Sequence, residues 1–565
     1  MLCSSQPYLR GPVLVTELMF RDLHATCPDC GEEVNEDGLD HKMGICSGCG
    51  ESWDEESLKN ADPERFFINS ITGKGKTFSS ALVAEDIWKK GYRFFSTDLN
   101  GSVYRYNEEN GIWIPDGDKL IAKETKKRLR RHYTSHRFKE TCAYIVASSF
   151  IDKEKIGGNK NKIVMLNGVY DLEKGTLGEF DPLLYEVNQI PIEYDPDAKC
   201  PNIEKFLKDV VSSIDVDKLI EIPGYCLYKD YPIARIIILT GLGENGKSVY
   251  LFLLKTFLGK DNVSSVELQK LSENDFRAST LQGKLANICG DIPAKALSQT
   301  GFIKILSGRD SITSEKKFKD PFTWINYAKL IFSANELPLS YDDTIAFYRR
   351  MIDIPFINSF SRDNPYTDLN IIEKLTTSEE LSGFFNLAVK GLRKLLENKG
   401  FSEEASTETK RIEYIRNANP IQYFAEKRVE KDTASQITKE DLYSHYVDLC
   451  EELEKIPKAN NVFSREVRRF LPYISESKIE GGTIKVWNGI KVKDSSRMDE
   501  TDGTVVPSSS IYDTFPQNST NKINRPNRPD RFRGCILSRM SRTSRLYPTL
   551  SSPKGVSFIC PAVLT

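Results

Sequence analysis

The sequence predicts a multi-domain α/β protein built around a phosphate-binding core. Three observations predict it. Residues 235–259, RIIILTGLGENGKSVYLFLLKTFLG, are an apolar run, a glycine-rich loop and an apolar helix in succession. Residues 196–370 alternate helical and strand-like patterns at tight spacing, as a sheet covered by helices requires. Residues 27–49 hold two C-x-x-C pairs, the mark of a separate small metal module. A chain of 565 residues has room for about three or four domains.

The charge balance, 78 basic against 80 acidic residues for a net of -2, argues against a uniformly basic nucleic-acid binder. That figure averages over domains and can hide a basic face. With 39% hydrophobic and 28% charged residues the composition is that of a soluble globular protein. No run approaches the ~18 to 20 apolar residues of a membrane helix, so no membrane partner is expected. The opening MLCSSQPYLRGPVLV lacks a charged segment leading into a long apolar core, so no signal peptide is read and the expected location is cytoplasmic, at a nucleoid or viral replication site.

Taken in order, residues 1–61 read as a zinc ribbon. Cys27, Cys30, Cys46 and Cys49 have the spacing with which two knuckles bring four thiolates onto one Zn²⁺, a closed structural site. Residues 62–195 form a mixed α+β module. Within it Lys119–Arg137, KLIAKETKKRLRRHYTSHR, reads as one strongly basic helix, either solvated or facing nucleic acid. Asn167-Gly168 between apolar runs marks a hairpin, and Asp195–Ala198 a turn. Residues 196–370 are the core. Residues 371–494 are mostly helical, with Gly400 as an expected helix cap and a hairpin centred on Asn488-Gly489, the outline of a winged helix. Residues 495–565, rich in Ser, Pro, Asn and Arg without periodicity, are expected to be a disordered tail.

The chemistry concentrates in the core. Strand Ile236–Thr240 runs into Gly241, Leu242, Gly243, Glu244, Asn245, Gly246, Lys247 and Ser248, a G-x-x-x-x-G-K-S loop opening a helix. Such a loop turns backbone N–H groups inward around phosphates, Lys247 reaches the β- and γ-phosphates of ATP, and the Ser248 hydroxyl is placed for Mg²⁺. The apolar run Leu285–Cys289 delivers Asp291 as the second Mg²⁺-holding acid. Strand Leu330–Phe332 ends at Asn335, a polar residue able to sense the γ-phosphate. Arg349 and Arg350 stand just before the next strand, where an arginine can act as a finger on a neighbour's nucleotide. No second acid accompanies Asp291, leaving Glu336 and Asp310 as candidates for the general base. Lys304 lies in an amphipathic helix, and Lys316, Lys317 and Lys319 surround Phe318 in a hairpin, a basic and aromatic cluster suited to single-stranded nucleic acid.

In this order GLGENGKS, ANICGD, ILSGRDSITSEKKFKDPF, LIFSANELP and FYRRMIDIPF resemble the superfamily 3 helicase core, and more narrowly the phage, plasmid and poxvirus-type primase-helicase family. KIVMLNGVYDLEKG upstream and FSREVRRFL with VWNGIKVKD downstream extend the resemblance over residues 62–494. It implies an AAA+-like core forming a homo-oligomeric ring, usually a hexamer, that moves 3′→5′ along single-stranded DNA and opens forked duplexes. Asp291 then falls on the family's motif B, Asn335 on its sensor, Arg349 or Arg350 on its arginine finger, and Lys304 to Lys319 on the DNA-contacting hairpin motif. No acid-x-acid primase signature is found, so a separate primase is expected. Two other readings remain: an ATP-switched replication initiator without processive unwinding, and a helicase with an undetected primase activity.

Overall fold

The computed structural model describes the backbone of residues 34–40, 43–46 and 52–54, and residues 63–493 apart from 71–72, 74, 98–101, 274, 298, 315–320, 343 and 361–366. Strands β1 (Val34–Asp40), β2 (Met43–Cys46) and β3 (Ser52–Asp54) pair antiparallel in that order. The backbone of Cys46 ends β2. Cys27, Cys30, Cys49 and the Cys46 side chain lie outside the described residues, as does the tail beyond Lys493.

An α+β module follows, with its own apolar cluster from Phe66 to Val146. Hairpin β4 (Phe67–Asn69)–β5 (Lys76–Phe78) leads to α1 (Ser80–Lys89). The antiparallel sheet β6 (Phe94–Phe95), β7 (Tyr104–Asn107) and β8 (Ile112–Ile114) leads to α2 (Gly117–Leu129) and α3 (Ser135–Ser148). The basic run expected as one helix is therefore two. Arg130 takes φ 46°, which ends α2. The Thr134 hydroxyl then accepts from the Arg137 N–H at 3.2 Å, a side-chain cap that starts a new helix. Beyond it β9 (Lys162–Met165), β10 (Gly168–Asp171) and β11 (Thr176–Gly178) make a meander, its first turn at Leu166-Asn167, one residue before the expected dipeptide, with Gly168 already paired to Met165. Its residues Ile163, Met165 and Tyr170 join the apolar cluster of the core that follows.

In the core, α4 (Pro201–Val210) and α5 (Val216–Leu227) precede strand β12 (Ile236–Thr240) and helix α6 (Lys247–Leu258). Next come β13 (Val263–Ser264), β14 (Ala286–Cys289), α7 (Thr300–Leu306), the hairpin β15 (Ser311–Ser314)–β16 (Phe322–Ile325), β17 (Lys329–Ala334), α8 (Ile345–Tyr348) and β18 (Met351–Pro355). Five of these strands form one parallel sheet in the order β13-β14-β17-β12-β18. Burial on both faces explains the continuous apolar run of β12. Ile237 and Leu239 pack with Tyr250 and Leu254 of α6, while Ile236 and Ile238 pack with Ile303 of α7 and Phe332 of β17. Removing one such side chain costs roughly 2–5 kcal/mol.

Helix α9 (Ser378–Asn398), capped by the Thr377 hydroxyl, closes over α5. Its left-handed terminal residue is Lys399, φ 54°, where the sequence marks Gly400; the Gly400 N–H instead closes on the Leu395 carbonyl at 3.3 Å. Helix α10 (Thr407–Ala418) continues to α11 (Pro420–Lys427), β19 (Val429–Thr438), α12 (Lys439–Glu452), α13 (Asn460–Phe470), β20 (Ser475–Ile479) and β21 (Ile484–Val492), with sheet order β19-β21-β20 around one apolar cluster. The hairpin expected at Asn488-Gly489 is displaced. Gly481 and Gly482, at φ 67° and 96°, make the turn, and β21 runs unbroken through Asn488-Gly489. Gly489, φ 92°, lies where the β19–β21 register slips between Lys431 and Gln436, so its left-handed backbone serves a bulge.

Candidate nucleotide-binding site

The parallel register sets the site. Thr240 of β12 pairs with Ala334 of β17, and Phe332 of β17 pairs with Cys289 of β14. The residues that follow, Gly241, Asn335 and Gly290-Asp291, therefore emerge together at the carboxyl edge of the sheet, with Asn335 central. This edge is where α/β sheets bind ligands.

The loop Gly241–Gly246 leaves β12 with Gly241, Gly243, Glu244 and Gly246 all at positive φ. Gly246 is required for a second reason: a Cβ there would stand 2.7 Å from Val210 Cγ1 of α4. Asn245 is buried and works at both ends, its Nδ2 donating to the Phe356 carbonyl at 3.2 Å and its Oδ1 accepting from Lys247 Nζ at 2.9 Å. Lys247, 4% exposed, also donates to the Gly241 carbonyl at 2.6 Å. Burial lowers its pKa, and the nearby Asp291 carboxylate works in the opposite direction. An ammonium group buried without a directly bonded carboxylate, at the start of a helix, favours an incoming anion. Leu242, Gly243, Glu244 and Ser248 are exposed at the mouth. The chain after β18 braces the loop, since the Phe360 N–H donates to the Glu244 carbonyl at 2.6 Å.

Asp291 follows β14 exposed, at φ 52°. Its N–H donates to the Ser333 hydroxyl at 3.2 Å, and the next N–H, of Ile292, donates to the Ser333 carbonyl at 2.9 Å. Sequence reading passed over Ser333; its signal is one hydroxyl in the otherwise apolar LIFSA. Asn335 and Glu336 are exposed beside it at the same edge.

The arginine pair lies at the opposite edge. The N–H of Ile236, the first residue of β12, donates to the Arg350 carbonyl at 2.6 Å, so the pair sits a full strand away from its own loop, roughly 17 Å. The two side chains differ. Arg350 is buried and donates to the Ser307 hydroxyl at 3.1 Å and the Ala346 carbonyl at 2.6 Å; Arg349 is exposed. Asp310 acts electrostatically on Arg350 and so belongs to this far edge, away from the Gly241–Gly246 loop.

Lys304 of α7 forms an ion pair with Asp342 at 2.5 Å and donates to the Thr344 hydroxyl at 2.9 Å. Asp342 also accepts from the Thr300 hydroxyl and is held well below the usual carboxylate range. The charge expected to face DNA is thus spent on fixing the loop between Asn335 and α8. The hairpin β15–β16 forms as expected; Lys316, Lys317 and Lys319, which fall between its strands in the sequence, lie outside the described residues.

Residues 52–212 match the family model described as D5 N terminal like, and residues 239–350 match one described as a family of unknown function (DUF5906). The second match begins inside β12 and ends on Arg350. A protein of Acanthamoeba polyphaga mimivirus named as helicase L207/L206 is 28% identical over 324 residues, 52% of this chain and 33% of that protein. These matches support the primase-helicase family. The chain spans about a third of that relative's length. Two solved structures of the NrS-1 C terminal region are similar at 14% and 13% identity, over 72% and 73% of this chain and 98% and 99% of theirs, each with a TM-score of 0.39, too low to carry a fold assignment. No helix among the described residues is long and apolar enough to cross a membrane.

Proposed function

We propose that the chain is an ATP-driven DNA helicase of a replication system, with an AAA+-like superfamily 3 core acting in a homo-oligomeric ring, a hexamer by family resemblance. The observation that carries this is the split of the machinery between two edges of one sheet. Lys247, Asp291 and Asn335 converge at one edge; the exposed Arg349 stands at the other, where it can reach only a nucleotide held by an adjacent copy. The order β13-β14-β17-β12-β18, with Asn335 between the phosphate loop and Asp291, supports the AAA+-like reading.

In this reading Gly241–Lys247 cradle the phosphates, with backbone N–H groups and the Lys247 ammonium as donors. The Ser248 hydroxyl and the Asp291 carboxylate, both hard oxygen donors, fit Mg²⁺, which supplies charge neutralisation when bound. Asn335 orients the attacking water and Glu336, at the same edge, takes its proton. Arg349 of one copy stabilises charge on the γ-phosphate held by the next. Lys316, Lys317 and Lys319 contact single-stranded DNA. Cys27, Cys30, Cys46 and Cys49 hold a structural Zn²⁺, and the helix–strand–helix–helix–strand–strand order from α11 to β21 supports a winged helix. A separate primase is the expected partner.

Strand displacement on a forked duplex with ATP tests this, with Lys247→Ala as control. Wild type should separate the strands and show ATPase stimulated by single-stranded DNA, and Lys247→Ala should lose both. ATP-dependent DNA binding without strand separation would make the chain an initiator. Primer synthesis on a single-stranded template would add a primase.

A further inference from the structure

Helix α2 carries two sets of cations with opposite fates. On its inner face Arg128 is 6% exposed and fully compensated, its Nε donating to Asp86 at 2.7 Å and its Nη1 to Glu124 at 2.5 Å. Asp86 is shared with Arg65 at 2.7 Å, so this network fixes α2 against α1 and the segment before β4. On the outer face Lys119, Lys123 and Lys126 are exposed at i, i+4 and i+7, with no ion pair or side-chain hydrogen bond among the described residues. Asp118 is the only exposed acid on α2, at its first turn, where it complements the helix dipole. A chain of net charge -2 thus presents a rigid row of uncompensated ammonium groups on a module outside the P-loop core.

The row fits one kind of partner. It runs about 10 Å along the helix, the span of roughly three successive phosphates on one DNA strand. No apolar side chain is exposed on α2 beside it. Protein interfaces are depleted in lysine at their centres and anchor on aromatic or apolar groups, whereas phosphate contacts use exposed cationic side chains such as these and need no apolar anchor. We propose that the outer face of α2, through Lys119, Lys123 and Lys126, is a contact surface for the DNA phosphate backbone. It adds to the helicase reading a DNA contact that requires no ATP.

The test is DNA binding by the full chain without nucleotide, on a single strand and on a duplex, between 50 and 200 mM salt. The triple variant Lys119→Ala, Lys123→Ala, Lys126→Ala should bind about tenfold or more weakly at low salt on at least one of the two DNAs. Its plot of log affinity against log salt should be shallower by about 2 to 3. A triple Lys→Arg variant should restore both values, and DNA-independent ATPase should match wild type in each, which controls for folding. If the alanine variant keeps wild-type affinity and slope on both DNAs, the proposal is overturned, and the row is solvated or faces an acidic protein. Lys247→Ala separates the two readings: it should lose ATPase while keeping the wild-type salt slope, whereas ATPase retained in it sinks the helicase reading alone.

Discussion

The Ser333 hydroxyl accepts a hydrogen bond from the Asp291 N–H at 3.2 Å and so ties the strand that leads to Asn335 to the one that leads to Asp291. Ser333 is 1% exposed, and no solvent replaces its hydroxyl when it is removed. Ser333→Ala should lower ATPase kcat by about 3- to 10-fold through misplacement of Asp291, with KM for ATP changed less than about twofold. Steady-state ATPase separates the two parameters, and an equal loss through KM alone would refute the positioning role.

Asn245 gives Lys247 one of its two acceptors and anchors the loop to Phe356. Asn245→Ala removes both functions from a buried position, and the expected result is roughly tenfold weaker nucleotide binding. Titration with a fluorescent ATP analogue measures it; unchanged affinity would show that the Gly241 carbonyl alone holds the ammonium.

The two adjacent arginines should separate experimentally. Arg349→Ala should leave Tm within a degree or two and cut ATPase by about 10³. Arg350→Ala leaves the Ser307 hydroxyl and the Ala346 carbonyl without their buried cation and should cost about 2–4 kcal/mol of stability. Thermal unfolding beside ATPase on the same preparations checks both. The reverse pattern would move the finger to Arg350.

Lys329 opens the strand that ends near Asn335 and is fully buried. Its Nζ donates to the Tyr228 and Tyr327 carbonyls, each at 2.7 Å, under the Tyr225 and Tyr231 rings. Burial holds its pKa down to about 7. The unfolded chain then binds the extra proton between about pH 7 and 10.5, so this residue makes stability rise with pH across that window, by up to ~1.4 kcal/mol per unit. Denaturant midpoints at pH 7 and 9 should rise more in wild type than in Lys329→Met; equal slopes would contradict the burial effect.

At the end of α9, Lys399 occupies a left-handed position that glycine takes without strain. Lys399→Gly should stabilise by about 0.5–1 kcal/mol with ATPase unchanged, read as a rise in Tm.

The strand, glycine-rich turn and helix from Ile236 to Leu258 were legible because β12 is buried on both faces, so its apolar run is continuous, and because the glycines of the turn take positive φ. Asp291 and Asn335 were legible as the polar residues that follow short apolar strands. What separates Arg349 from Arg350 is the roughly 100° between successive side chains in the turn after α8 and the position of Ser307, neither of which spacing encodes. The ion pair of Lys304 was not legible because its partner Asp342 is 38 residues away in the chain. Asn488-Gly489 matched a hairpin pattern, but Gly481-Gly482 supplied the turn and a register slip in β19 used the second site. Ser333 was missed because its role is to accept a hydrogen bond from a neighbouring strand, a relation that exists only once the sheet is formed.

The break at Arg130 divides one written run of cations between two helices of the same module. Residues that stand side by side in the chain are sent in different directions by a single left-handed backbone angle. Charge density along a polypeptide and electric field at a point in space are therefore different quantities. A peptide copied from residues 119–137 would present a field that the folded chain never shows.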